Sequence, residues 1–207
     1  MAEPRSITVY SDYKSPYAYL AKDKVHALER EIPVRVTWLP YILDIPSYLG
    51  SAQVDDSGTV LEEQRNAHQW RRVRYSYMDC RRQARKQGLT VLGPRKIWDS
   101  NLAAAGMLFA QRHGDPVFRA YHDRVFERFW RRDLDIENVA ALDAELRACG
   151  APPGFAADAP ALRQEVAEIS RAAEAMGVFG VPSFIVDGEL YWGQEHLDDI
   201  REILRRP

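Results

Sequence analysis

The sequence is poor in cysteine, and this scarcity excludes two kinds of site. Its two cysteines, Cys80 and Cys149, lie far apart and form neither a C-x-x-C pair nor the Cys/His spacing of a zinc site. Each lies in a helical pattern and is interpreted as a small buried or half-buried residue. A disulfide between the two is left open as an alternative, which a reducing compartment would disfavour.

Long hydrophobic runs and an excess of one charge are also absent. No stretch approaches the roughly 18 apolar residues of a membrane span, and residues 1–6 lack the apolar core of a signal peptide. The formal net charge of -2 gives no general attraction to nucleic acid or to a membrane surface. We therefore expect a soluble cytoplasmic protein. Its 207 residues, 46% of them hydrophobic, suffice for one domain with an insertion or for two small domains.

The most informative stretch joins an apolar run at 7–10 to a helical pattern that starts at Pro16. Ser15 stands where a helix N-cap belongs, and Pro16 stands at the first helical position. Unpaired backbone N–H groups and the helix dipole stabilise anions and thiolates at such a place. The alternative for Ser15 is a plain N-cap. A second alternating run at 32–39 completes a predicted parallel βαβ unit.

The middle of the chain predicts a helical insertion. Residues 41–60 have no clear period and predict a loop, whereas residues 61–86 predict a long helix rich in arginine. A structureless loop of ~100 residues is not expected in a compact domain. We therefore predict a helical subdomain inserted into a small α/β domain, with a ligand expected in the cleft between them. The predicted limits are 41–159 for the insertion, 160–176 for a connecting helix, and 1–40 with 177–207 for the α/β domain.

The C-terminal part predicts a hairpin followed by a helix. The mostly apolar run at 178–186 predicts a strand, Asp187-Gly188 a two-residue turn with positive φ, and 189–192 the returning strand. A last amphipathic helix is predicted to start at 193–196. The chain is thus predicted to be α/β, in the order βαβ, helices, ββα.

Two motifs give this pattern a family resemblance. Residues 15–21 read S-P-Y-A-Y-L-A, 177–184 read G-V-F-G-V-P-S-F, and 188–195 read G-E-L-Y-W-G-Q-E. In this order, the motifs resemble those of the thioredoxin-fold group that contains the DsbA-type oxidoreductases, the kappa-class glutathione transferases and 2-hydroxychromene-2-carboxylate isomerase. The resemblance is strongest to the isomerase branch. It implies a thioredoxin-like domain with an all-helical insertion.

The resemblance also implies a cofactor, because the oxidoreductases carry C-x-x-C where this chain has Ser15 and Ala18. Without either cysteine the chain has no thiolate for thiol–disulfide exchange, and the resemblance implies that glutathione supplies one. Ser15 is then the catalytic residue, donating its O–H to the sulfur and lowering the thiol pKa. The resemblance places a cis bond at Val181–Pro182, with the Val181 N–H and C=O turned outward to bind the cysteinyl backbone of glutathione. The alternative is a trans proline that opens an edge strand.

Gln194 and Glu195 complete the implied glutathione site. By resemblance they hold the γ-glutamyl end, with Glu195 facing the ammonium and helix N–H groups facing the carboxylate. The chain departs from the family here, since Glu195 replaces a commoner aspartate and His196 a commoner arginine. The alternative is an acidic first turn that stabilises a helix. His196 is assigned no catalytic role.

The resemblance predicts an isomerase that acts on an aromatic 2-oxo acid or hydroxychromene carboxylate by reversible thiolate addition and bond rotation. Arg71, Arg74 and Arg82 are candidates for the substrate carboxylate, although a solvated basic face is the alternative. A kappa-like glutathione transferase and a DsbA-family binding protein without redox activity stay open as functions. The resemblance implies a homodimer, for which three aromatic residues are a candidate interface: Phe126, Phe129 and Trp130. No metal site is predicted.

Overall fold

The computed structural model describes residues 5–206, which form two compact units. The first unit contains the described residues up to Leu43 and from Glu165 onward, and the second contains Asp44–Gln164. The boundary at Glu165 lies inside helix α7, Phe155–Ala175. Within residues 5–206, no helix is both long and apolar enough to cross a membrane.

The first unit is built on a four-stranded sheet with the order β2-β1-β5-β6. Strand β1, Arg5–Ser11, leads into helix α1, Pro16–Glu31, and then into strand β2, Val34–Pro40, which runs parallel to β1. The predicted βαβ unit is therefore confirmed. Strand β5, Ser183–Val186, pairs antiparallel with the other side of β1, and β6, Glu189–Trp192, pairs antiparallel with β5.

Helix α1 packs against β2 and against the C-terminal helix α8, Leu197–Arg205. Its buried side includes Ala21, Val25 and Leu28, at the spacing that turns apolar side chains to one face of a helix. The core of this unit consists of almost fully buried side chains, among them Ile7, Val9, Leu20, Val25, Phe184 and Ile200. This core holds the start of α1 at the C-terminal end of the central strand β1.

The predicted C-terminal hairpin is present, but its first strand is shorter than predicted. Asp187 and Gly188 have φ of 51° and 82°, as a two-residue turn between β5 and β6 requires. Strand β5 begins at Ser183 and not at Val178, because Pro182 has no N–H to give to the ladder. The five residues before Ser183 form the loop that leads into β5.

The second unit is mainly helical, as predicted, but it also contains a two-stranded sheet. The segment 41–60 is therefore more than the predicted loop. All residues of the second strand are exposed, so it carries no apolar alternation that would reveal it in the sequence. In chain order the elements are α2 (Ile45–Leu49), β3 (Ala52–Val54), β4 (Val60–Glu63), α3 (Ala67–Lys86), α4 (Asn101–Arg112), α5 (Asp115–Trp130), α6 (Val139–Ala148) and the first part of α7.

Helix α3 begins at Ala67 and not at residue 61, because Asn66 caps it. The Asn66 side chain accepts hydrogen bonds from the backbone N–H groups of His68, at 3.0 Å, and Gln69, at 2.9 Å. In return the Gln69 side chain accepts from the Asn66 N–H at 2.9 Å. This reciprocal capping box satisfies N–H groups that the first turn leaves open.

The core of the second unit lies between α4, α5 and α6. The stripe predicted on α5 is buried, which confirms it as core; it consists of Phe118, Tyr121, Val125, Phe126 and Phe129. Trp130 is buried as well, so Phe126, Phe129 and Trp130 are enclosed within this unit and the suggested dimer interface is wrong. The Tyr121 hydroxyl donates to the Ala103 carbonyl at 3.0 Å. It passes so close to Gly106 that a Cβ there would overlap it.

Neither Cys80 nor Cys149 forms a disulfide within residues 5–206, and both lie in the second unit. Cys80 is buried in α3, and Cys149 is half-buried at the end of α6. Burial raises the pKa of the Cys149 thiol, and the nearby carboxylates of Glu145 and Asp123 raise it further against the opposing effect of Arg124.

Candidate functional site

The turn between β1 and α1 presents Ser15 at the start of the helix. The Ser15 N–H donates to the Asp12 carbonyl at 3.0 Å and closes the turn. Ser15 itself is extended, with φ -93° and ψ 115°, and its Oγ accepts from the Ala18 N–H at 3.2 Å. Pro16 takes the first helical position. The predicted N-cap at Ser15 is thus confirmed.

The Ser15 hydroxyl also reaches the loop that precedes β5. It is 3% exposed and donates to the Val181 carbonyl at 3.3 Å. Accepting from Ala18 and donating to Val181 use different parts of the hydroxyl, so capping leaves its proton for a second partner. A distance of 3.3 Å is long for an O–H···O bond. A stronger acceptor brought near Ser15 would therefore compete for this proton.

The Val181–Pro182 peptide bond is cis, as the resemblance predicts. Val181 is buried, and within residues 5–206 no acceptor bonds to its N–H. Its carbonyl, in contrast, faces the Ser15 hydroxyl. The carbonyl therefore already has a partner in the N-cap side chain, and its predicted pairing with glutathione stays a prediction. One backbone donor is left open beside Ser15.

The Pro182 carbonyl joins this loop to the segment before α8. It accepts from the Gly193 N–H at 2.9 Å, and Gly193 has φ 105°, a conformation that favours glycine. Gln194 follows and is buried, whereas Glu195 is exposed and its carboxyl group folds back over Gly193, where a Cβ would overlap it. The structure thus brings Ser15, Val181 and Pro182 together. The hydrogen bond from Gly193 to Pro182 ties the segment that carries Gln194 and Glu195 to the same loop.

The local conformation at Gln194 and Glu195 differs from the predicted one. Residues Gln194–His196 form a single 3₁₀ turn, and α8 begins only at Leu197. Gln194 and Glu195 therefore lie before α8, and their N–H groups are not those of its first turn. His196 is half-buried, and its ring lies 3.6 Å from the Asp199 carboxylate.

A buried charged pair lies in the same turn as Ser15 and was missed by the sequence analysis. The Asp12 side chain is fully buried; one of its oxygens accepts from the Lys14 N–H at 3.1 Å and the other from the Leu43 N–H at 2.8 Å. The Lys14 ammonium lies 3.7 Å from the second oxygen, and its side chain is 7% exposed. The sequence shows these charges before the N-cap, but it does not show that they are buried.

Comparison with known proteins identifies the family of this chain. The family model of the DSBA-like thioredoxin domain matches residues 6–205. The chain belongs to this family. A curated relative named 2-hydroxychromene-2-carboxylate isomerase, from Sphingobium xenophagum, is 26% identical over 208 residues, which cover 97% of this chain and 98% of the relative.

Solved structures agree with the family assignment. A structure of 2-hydroxychromene-2-carboxylate isomerase has a TM-score of 0.73 at 20% identity, with 96% of this chain and 94% of that chain covered. A probable DsbA oxidoreductase from Streptomyces coelicolor has a TM-score of 0.74 at 18% identity, covering 98% and 92%. The cytosolic disulfide reductase DsbM from Pseudomonas aeruginosa, solved with GSH, has a TM-score of 0.64 at 18% identity, covering 96% of both chains. These likenesses establish the fold and confirm the predicted thioredoxin-like architecture.

This member of the DSBA-like family has no cysteine at the start of α1. Ser15 caps the helix, and Ala18, which donates to it, has no reactive side chain. Among residues 5–206, no three His, Cys, Asp or Glu side chains lie close enough together to hold a metal ion. The groups that the site offers are the Ser15 hydroxyl, the open Val181 N–H and the exposed carboxylate of Glu195, and a buried ammonium lies in the turn before Ser15.

The three arginines considered for a substrate carboxylate lie on α3 of the second unit. All are exposed. Arg82 pairs with Asp79 at 3.2 Å, and the Arg74 guanidinium lies over the Trp70 ring at 5.8 Å. Arg71 makes no ion pair with any residue from 5 to 206. A role of any of the three toward a substrate stays a prediction.

Proposed function

We propose that this protein is a glutathione-dependent isomerase that acts on an aromatic 2-oxo acid or a hydroxychromene carboxylate. The observation that carries the proposal is the contact between the Ser15 hydroxyl and the Val181 carbonyl, at the N-terminal end of α1 and without a cysteine at residue 15 or 18. The site can polarise a thiol but does not contain one. The name of the curated relative, matched over nearly the full length of both chains, supports the reaction type.

The residues of the site fit glutathione. The buried Val181 N–H has no acceptor within the described part of the chain, and a peptide carbonyl of the cysteinyl residue would satisfy it. The Glu195 carboxylate is exposed and has no ion pair among residues 5–206, so it can face the γ-glutamyl ammonium. Gln194, beside it, would hold the same end. Pro182 shapes the loop that carries the open N–H.

Ser15 has a defined part in this proposal. Bound glutathione would supply the nucleophilic thiol that residues 15 and 18 lack. The Ser15 hydroxyl can turn its proton from the Val181 carbonyl, at 3.3 Å, to a sulfur anion, while its oxygen continues to cap α1 through Ala18. A charge-assisted hydrogen bond is stronger than the neutral one it replaces. Together with the dipole of a helix of 16 residues, it favours the ionised form of the thiol.

The test is to follow the interconversion of 2-hydroxychromene-2-carboxylate and trans-o-hydroxybenzylidenepyruvate by ultraviolet absorbance, with and without glutathione. The proposal expects turnover only when glutathione is present, with glutathione recovered unchanged. Loss of glutathione to an electrophile, without isomerisation, would instead indicate a kappa-like transferase. A protein that binds glutathione but turns over neither substrate would indicate a binding function.

We also propose that the protein acts as a cytoplasmic homodimer, on the strength of the family resemblance. The interface must involve residues other than Phe126, Phe129 and Trp130, since these are buried in the second unit. Light scattering of the purified chain in solution tests this part; a monomeric mass at micromolar concentration would contradict it.

A further inference from the structure

Lys14 directly precedes Ser15 in the chain, and the proposed function does not use its positive charge. Its side chain is 7% exposed, which is unusual for a lysine, and it belongs to the turn that Ser15 N–H closes onto the Asp12 carbonyl. Burying an ammonium is unfavourable unless it is paired and hydrogen-bonded. The question for Lys14 is therefore which groups pair with its buried ammonium.

The Asp12 carboxylate neutralises the ammonium only loosely. Both of its oxygens already accept backbone hydrogen bonds, from Lys14 N–H at 3.1 Å and Leu43 N–H at 2.8 Å. The ammonium lies 3.7 Å from the nearer oxygen, beyond hydrogen-bonding distance. No other residue from 5 to 206 forms a hydrogen bond or ion pair with it. An ammonium has three donors, so Lys14 keeps donors for a further acceptor.

We infer that the Lys14 ammonium stabilises an anionic sulfur held at Ser15, and that Asp12 is the positioning residue that keeps the ammonium in the turn. In its application to glutathione, this inference rests on the proposed function. Lys14 directly precedes the N-cap of α1, and the charge of its ammonium has the same sign as the partial charge at the N-terminal end of the helix, so both favour an anion at Ser15. Lys14 thereby adds a full charge to the partial charge of the helix terminus.

Lys22, a lysine of α1, provides the matched control. The Lys22 side chain is as buried as that of Lys14, but it lies within the helix and forms an ion pair with Asp23 at 2.6 Å. Replacing Lys22 removes an equally buried positive charge without changing the turn at Ser15. A general effect of burial or of helix stability would act at both lysines, whereas a local effect on Ser15 is specific to Lys14.

The experiment uses Ser15→Cys as a reporter, because the pKa of the introduced thiol can be measured without glutathione or substrate. The pH dependence of alkylation by iodoacetamide, followed at that site by mass spectrometry, gives the value. In the Ser15→Cys background, Lys14→Met is expected to raise the thiol pKa by about one unit, and Lys14→Arg to restore it. Lys22→Met is expected to leave it unchanged.

Circular dichroism melting shows whether each variant is folded, and Lys14→Gln replaces Lys14→Met if the latter is not. An unchanged thiol pKa in folded Lys14→Met or Lys14→Gln overturns the inference, as does an equal shift in Lys22→Met. Calorimetry of the parent and of Lys14→Met with glutathione at pH 7 forms a separate arm, in which the inference expects about tenfold weaker binding by the variant. If the parent does not bind glutathione at millimolar concentration, the proposed function fails, while the pKa measurement still decides the role of Lys14.

Discussion

Replacing Ser15 with alanine separates the structural role of its hydroxyl from its chemical role. The variant loses the cap on the Ala18 N–H, worth about 1 kcal/mol. It also loses the long bond to the Val181 carbonyl, worth about another 1 kcal/mol in a buried environment. Thermal unfolding should therefore shift down by roughly 4–8 °C for a chain of this length. The protein should still be folded at room temperature.

The effect on activity is expected to be much larger than this loss of stability implies. Removing one preorganised hydrogen-bond donor to a developing anion typically lowers kcat by about 10²–10³. If Ser15 supports the thiolate, isomerase turnover at saturating glutathione should fall by this factor in Ser15→Ala. Ser15→Thr keeps a hydroxyl at the same position and should retain a large part of the turnover.

Asn138→Ala is the matched control for the cap. The Asn138 side chain caps α6 in the second unit by accepting from the Ala141 N–H at 3.1 Å, so its removal also costs about 1 kcal/mol. This variant should melt earlier and keep its full kcat. If Ser15→Ala behaves in the same way, with a lower melting temperature and unchanged kcat, the hydroxyl is only a cap and the proposed mechanism is refuted.

Three further outcomes are expected. Asp12→Asn should lower the free energy of unfolding by about 3–5 kcal/mol in urea titrations, because it leaves the buried Lys14 ammonium without its counter-charge; Lys14→Met in the same chain should recover part of the loss. Gly106→Ala should destabilise the protein by about 1–3 kcal/mol, since its Cβ overlaps the Tyr121 hydroxyl, and should be milder in a Tyr121→Phe background. At pH 8 the Cys149 thiol should react with iodoacetamide more slowly than free cysteine, because burial raises its pKa and lowers its thiolate fraction; an equal rate, measured by mass spectrometry, would contradict this.

Local chemistry made much of the first unit predictable. The Ser15-Pro16 pair indicates a helix start because proline is tolerated at the first helical position, and Asp187-Gly188 indicates a hairpin because both residues accept positive φ. Strand β2 alternates because one of its faces is buried. These features depend on a few neighbouring residues, so the sequence alone determines them.

Other features depend on contacts that the sequence does not display. Strand β4 is exposed along its whole length and has no hydrophobic pattern. The start of α3 is a different case, because the capping box of Asn66 and Gln69 stands in the sequence as N-x-x-Q, a pattern that predicts a helix from residue 67. The burial of Lys14 could not be predicted in this way, because its neighbours in the sequence do not distinguish it from the many exposed lysines and arginines of the chain.

The meeting of Ser15 with Val181 follows from sheet topology and not from either motif alone. Strand β5 runs antiparallel to β1, with Tyr10 opposite Ser183. The end of β1 and the beginning of β5 therefore lie at the same end of the sheet, and the turn that leaves one meets the loop that enters the other. A parallel β5 would place Ser15 and Val181 at opposite ends. Two motifs more than 150 residues apart can act together only in the antiparallel arrangement.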